Sequence, residues 1–139
     1  MDRDAVEKLF FERLQTLSPE AEYELRDPEY MMEMAAIGKR IRGRDKMRAL
    51  QQAFAAPPTF RPRRVAGSGD VFVVEGAGDY GGQIFHVVDM VEFRDDKIAR
   101  ETQLLRRAFR GSAMAGALDR ADERGTSETC PRSGRADAL

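Results

Sequence analysis

Residues 83–103 read Gln83-Ile84-Phe85-His86-Val87-Val88-Asp89-Met90-Val91-Glu92-Phe93-Arg94-Asp95-Asp96-Lys97-Ile98-Ala99-Arg100-Glu101-Thr102-Gln103. Phe85, Val87, Val88, Val91, Phe93 and Ile98 are β-branched or aromatic, the types that fit a pleated surface. Arg94-Asp95-Asp96-Lys97 interrupts the apolar run, so the stretch reads as two strands joined by a tight turn. A two-residue turn needs φ > 0 at both Asp95 and Asp96. A three-residue loop, Arg94 to Asp96, needs it only at Asp96, and Asp tolerates that conformation better than most residues. The three-residue loop is the expectation.

That loop sets a register in which Phe93 faces Lys97, Val91 faces Ala99, Asp89 faces Glu101 and Val87 faces Gln103. One side of the hairpin then carries Phe85, Val87, Asp89, Val91, Glu101 and Gln103. The other carries Ile84, His86, Val88, Met90, Ile98, Arg100 and Thr102. Carboxylates on an apolar face are costly unless paired or protonated. Two that face each other do not both ionise cheaply, so one pKa rises and a neutral carboxylic acid becomes available as a hydrogen-bond donor. The alternative is a solvated strand edge with ordinary titration.

Outward from the hairpin, Val6, Leu9, Phe10, Leu14 and Leu17 recur at helical spacing and predict a helix from Asp4 to Leu17. Ser18-Pro19 signals a fresh start, with Ser18 as N-cap, and a short helix to Leu25 follows until Asp27-Pro28 ends it. Glu29 to Met34 reads as a strand with Met32 and Met34 on one face and Glu29, Met31 and Glu33 on the other. Ala35 to Arg42 is a loop or edge strand. Gly43 opens a helix striped by Met47, Leu50 and Phe54 and stopped by Pro57-Pro58. Strands follow at Phe60–Ala66 and Val71–Glu75, with turns at residues 67–70 and in the glycine-rich 76–82. That cluster lacks the spacing and the following helix of a phosphate loop. Helices first, then sequential strands with short connections, predict an α+β domain with helices on one face of a curved sheet, a geometry that encloses a small-molecule pocket.

Composition narrows the function. A chain of 139 residues supports one modest core, and no apolar run approaches the ~20 residues of a membrane helix. The N-terminus lacks the basic-then-apolar order of a secretory leader. The formal net charge of −1 argues against general nucleic-acid binding. The basic run Lys39 to Arg48 and the group Arg61, Arg63 and Arg64 read as solvated surface. One cysteine, Cys130, permits no internal disulfide and sets a cytoplasmic expectation. One histidine and one distant cysteine make no ligand cluster, so neither metal nor cofactor is expected.

The order of elements, together with Glu29-Tyr30-Met31-Met32-Glu33-Met34, Ile41-Arg42-Gly43-Arg44 and the hairpin itself, resembles the SnoaL-like polyketide cyclase and ketosteroid isomerase relatives of the nuclear transport factor 2-like superfamily. The resemblance covers roughly 4–103 and implies a cone-shaped fold, often dimeric, with an apolar cavity between sheet and helices. It implies Glu33 as the carboxylate that removes a proton next to a carbonyl, and Asp89, four residues before Phe93, as the protonated acid that donates to the enolate oxygen. Met31, Phe85, Val87, Val91, Glu101 and Gln103 would line the pocket. Where epoxide hydrolase relatives carry a water-activating acid, this chain has Gln103, which weakens that activity. The isomerases' helix tyrosine has only Leu9 and Phe10 as counterparts. Tyr30 is a weak substitute, and His86 falls on the other face from Asp89.

After Gln103 the resemblance stops. Relatives continue with aromatics, whereas Leu104 to Ala115 reads Leu-Leu-Arg-Arg-Ala-Phe-Arg-Gly-Ser-Ala-Met-Ala. Codons for Tyr-Tyr-Ala-Glu-Pro-Phe-Glu-Ala-Pro-Gln-Trp-Arg, read one base out of phase, yield that segment. A frameshift near Leu104 is one expectation and a divergent tail the other, and the nucleotide sequence decides between them. The domain is expected over 1–109, with 110–139 a disordered or frameshifted tail. Two functions stay open: cofactor-free proton transfer on a small apolar carbonyl compound, or a non-catalytic ligand-binding or dimerisation module. The expected partners are a small apolar ligand and a second copy of the chain, without nucleic acid or membrane.

Overall fold

A computed structural model describes residues 1–108. The expected tail, 110–139, lies outside the described residues. Asp2 caps helix α1 (Arg3–Lys8), its carboxylate accepting from the Ala5 N–H at 2.8 Å. A π-helical turn, Leu9–Arg13, follows, closed by the Leu14 N–H on the Leu9 carbonyl. The helical stretch therefore ends short of Leu17, yet Val6, Leu9 and Phe10 are buried as their spacing requires. Ser18 caps α2 (Pro19–Leu25), with Pro19 at its first position.

Strand β1 (Arg26–Met34) starts three residues earlier than Glu29 and runs straight through Asp27-Pro28. Its Pro28 sits on an exposed stretch, where a missing N–H costs little. A 3₁₀ turn (Ala35–Ile37), the short strand β2 (Lys39–Arg42) and helix α3 (Arg44–Ala53) come next. Of the predicted α3 stripe only Met47 is buried; Leu50 and Phe54 are 39% and 47% exposed. Phe54 has already left the helix in an extended conformation, which breaks the stripe.

Strands β3 (Thr59–Ser68), β4 (Val71–Tyr80), β5 (Gln83–Arg94) and β6 (Lys97–Arg107) complete the described chain. The glycine-rich segment is not all turn: β4 continues to Tyr80, and only Gly81 and Gly82 form the connection. Gly76 belongs in that strand because the Phe60 ring and the Arg61 backbone occupy the space where its side chain would lie.

The sheet order is β2-β1-β6-β5-β4-β3. β1 pairs parallel with β6 and every other pairing is antiparallel. The result is a curved, unclosed mixed sheet with the helices against one face. The core joins Val6, Leu9 and Phe10 to Tyr30, Met32, Phe72, Val91 and Phe93. No helix among the described residues is long and apolar enough to cross a membrane.

The expected hairpin register is corrected. Asp95 and Asp96 both take positive φ, 49° and 58°, so the turn has two residues and Arg94 pairs with Lys97. Phe93 then faces Ile98 and Glu92 faces Arg100, leaving Ala99 as the extra residue of a bulge. The bulge turns Ile98 inward, against the expectation, and it is buried. Beyond it the pairing is offset by two residues, which preserves the faces. Asp89 stands opposite Gln103, and Glu101 opposite Val91.

Candidate functional site

Asp89 lies in the middle of β5, between Val74 of β4 and Gln103 of β6. It is 3% exposed, and its Oδ1 has no hydrogen-bond partner. Burial pushes its carboxyl well above the usual range, and the charge of Glu101 pushes the same way, while the Gln103 side chain partly offsets both.

Glu101 sits one strand over, beside Met32 of β1, and is 5% exposed. The Tyr30 hydroxyl donates to its Oε2. Burial, reinforced by Glu101, holds the Tyr30 phenol well above its ordinary value, so it stays a donor. Behind Tyr30 the Arg26 guanidinium lies 5.1 Å from the ring centroid. Arg26 pairs with Glu22 at 2.8 Å and donates to Gln51 Oε1 at 3.2 Å, and Gln51 Nε2 donates to Glu22 at 2.7 Å. Burial alone would lower the Arg26 pKa, but the charges of Glu101, Tyr30 and Glu22 outweigh it and raise it.

Sequence reasoning missed Arg26 and underrated Tyr30. Ending the helix at Asp27-Pro28 left Arg26 outside any strand. Once β1 begins at Arg26, residues 26, 30 and 32 share the inward parity. The polar residue in that parity was the available signal.

Glu33 and Met31 are not brought to this cluster, which corrects their placement in one pocket with Asp89. Strand alternation sends both to the outer face, where Met31 aligns with Arg100 and Arg42. Glu33 accepts from Arg100 Nη2 at 2.8 Å and pairs with Arg40 at 3.3 Å. Arg100 Nε also reaches Glu92 at 3.5 Å. A carboxylate held by two guanidinium groups on the far side of the sheet is poorly placed to act as base beside Asp89. His86 is exposed on the same outer face.

Val87 and Val91 are buried on the inner face with Asp89. Phe85 is half-buried, its ring edge-on to Tyr80 at 5.2 Å. Burial, and secondarily Asp89, raises the Tyr80 phenol pKa. A separate groove of about 870 Å³ between α1 and β3, lined by Arg3, Glu7, Lys8, Phe11, Arg63 and Arg64 among others, holds none of the candidate residues. Among the described residues no group of three or more His, Cys, Asp or Glu is arranged to hold a metal ion.

The SnoaL-like domain family matches residues 6–101. Among solved structures, an NTF-2 like protein of unknown function from Burkholderia xenovorans LB400 is 26% identical with a TM-score of 0.69, over 83% of this chain and 90% of that one. A protein described as a ketosteroid isomerase from Kribbella flavida is 20% identical, TM-score 0.67, over 79% and 81%. An epoxide hydrolase from M. tuberculosis is 19% identical, TM-score 0.61, over 75% and 81%. No curated protein matches the chain.

Proposed function

This chain belongs to the SnoaL-like domain family of the nuclear transport factor 2-like superfamily, and on that premise we propose that it binds a small, largely apolar carbonyl compound at Asp89 and moves a proton on it without a cofactor. The observation that supports this most is the buried Asp89 Oδ1 with no partner, on the same apolar face as a second acid. A neutral Asp89 would donate to the carbonyl oxygen. Glu101, in place of Glu33, would take the proton from the adjacent carbon as the C–H electron pair moves into the enolate, then return it to carbon. Val87, Val91 and Gln103 would flank the ligand. The ketosteroid isomerase-like protein from Kribbella flavida, on this fold, supports the chemical class.

The second reading is a binding module without turnover. It is favoured by Leu9 and Phe10, which are buried apolar residues where a donor from the helix would complete an oxyanion site. A thermal-shift screen of steroid-like, polyketide-like and terpenoid ketones identifies binders. Exchange of their α-hydrogens with deuterated solvent, followed by NMR, then separates the readings. Proton transfer predicts exchange that falls at least ~100-fold in Asp89→Asn. Binding without exchange makes the chain a module, and no binding by any compound sinks both.

The outer face supports a second copy of this chain as partner. Ile84, Val88, Met90 and Leu104 are exposed there, with Val88 directly opposite Leu104. Two-fold pairing would cover this strip with itself. Light scattering should give a dimer mass for the wild type and a monomer mass for Val88→Asp; a monomeric wild type would refute the pairing.

A further inference from the structure

Tyr80 ends β4 with a hydroxyl that the fold does not use. Position 80 shares the inward parity of Phe72, Val74, Gly76 and Gly78, a row paired across to Val91, Asp89, Val87 and Phe85. The Tyr80 ring lies back along its own strand, over Gly78. A Cβ at Gly78 would stand 2.8 Å from Tyr80 Cε2 and 3.2 Å from Val87 Cγ2. Gly78 does not take a positive φ, so its missing side chain makes room for the ring rather than for a turn. Phe85 holds the ring edge-on at 5.2 Å between centroids. The ring therefore sits beside Val87, two residues from Asp89 along β5. Tyr80 is 38% exposed, and among the described residues no hydrogen bond engages its hydroxyl. Burial first, and the Asp89 charge second, raise its pKa, so the phenol keeps its proton as a donor. A free hydroxyl and the unpartnered Asp89 Oδ1 thus lie on one apolar face. A ligand oxygen would complete both.

We propose that Tyr80 is a further catalytic residue of this site: its hydroxyl donates to the same ligand oxygen as Asp89 and supplies the second oxyanion donor that Leu9 and Phe10 do not. This rests on the proton-transfer reading above. Tyr80 keeps its proton throughout. It steadies the charge that reaches oxygen when the C–H electron pair moves into the enolate, and the proton goes to the base as before. The rings of Tyr80 and Phe85 flank that end of the site, which fits a flat ketone fused to an aryl ring.

Two probes test this on the full chain: 2-tetralone, a flat aryl-fused ketone with exchangeable α-hydrogens, and 2-naphthol, which has the shape of its enol. The wild type should speed exchange of 2-tetralone in deuterated solvent. Tyr80→Phe should lower kcat about 100-fold and leave KM within about twofold. Phenylalanine keeps the ring's packing, so a merely structural role would not produce that split. Gly78→Ala displaces the ring, and should lower kcat alone but add nothing to Tyr80→Phe. Wild-type kcat in Tyr80→Phe, or additive losses in the double variant, would overturn the proposal. Should the variants fold poorly, the wild type decides. With a labelled carbon at Tyr80 Cζ, saturating 2-naphthol should shift that NMR signal, and an unmoved signal would overturn the proposal. If 2-naphthol shifts the signal but 2-tetralone does not exchange, the Tyr80 donor stands and the proton-transfer reading falls. If exchange proceeds equally well in Tyr80→Phe, the reverse holds. A wild type that binds neither probe overturns the Tyr80 assignment together with the ketone reading.

Discussion

The two faces of this sheet treat carboxylates in opposite ways. On the outer face Glu33 and Glu92 are bracketed by Arg40 and Arg100 in partly solvated ion pairs. On the inner face, three residues away along β5 and one along β6, Asp89 and Glu101 are buried, with the Arg26 cation behind a tyrosine. Strand alternation alone separates the sets, since neighbouring residues on a strand look to opposite sides. The outer acids solve their charge problem with guanidinium partners. In the inner pair, burial and the neighbouring Glu101 raise the Asp89 pKa. A group in the second condition is the better candidate for chemistry, because its protonation state is held by the fold rather than by solvent.

The sharpest way to break this contrast is to remove one cation from each face. Arg26→Met should destabilise the protein by roughly 3–5 kcal/mol in urea unfolding, because Glu22 and Glu101 lose a buried partner. Arg100→Met should cost only ~0–1 kcal/mol, since its partners remain near water. Equal losses would mean that the faces do not differ electrostatically.

A second prediction uses pH. The folded pKa of Asp89 is raised above the ~3.9 of an unfolded chain, so the native state holds a proton that the unfolded state has released. Its contribution is fully present below that unfolded value and is lost as pH rises through the folded one. The wild type should lose about 1.4 kcal/mol per pH unit across this window from Asp89 alone. Asp89→Asn should lack that loss, so the variant gains on the wild type as pH rises from 4. Parallel stability curves would contradict the assignment. Glu33→Gln, on the outer face, should leave ketone exchange within about twofold if the inner acids act alone; a loss near 100-fold would return the base to Glu33.

The smallest effect concerns the turn. Asp95→Gly should stabilise by a few tenths of a kcal/mol, because glycine takes φ = 49° without the strain a side chain meets there. Unfolding curves of the two proteins, compared at one pH, read it directly.

Which residues face inward on β5 was legible from alternation alone: Val87, Asp89 and Val91 needed only a period of two. The pairing across the hairpin was not. A positive φ at two successive aspartates looked costlier than one, and nothing local announced the bulge at Ala99 that makes the tighter turn compatible with both faces. Glu101 and Gln103 still landed inside because an offset of two residues leaves parity unchanged. Glu33 failed as a site residue for the same parity reason, since Met32 and Tyr30 claim the inner face of β1. Arg26 was hidden by Asp27-Pro28, which signals a helix end in isolation but lies within a strand once β6 provides a parallel partner. Long-range pairing, unlike alternation, is not written in neighbouring residues.

A carbon-detected titration of the Asp89 side chain in the wild-type protein tests the central claim most directly. The carboxyl should remain in its acid form well above the ~3.9 midpoint of a free aspartate. A midpoint at or below that value would show that Asp89 is an ordinary anion, and the inner face would then differ from the outer only in burial.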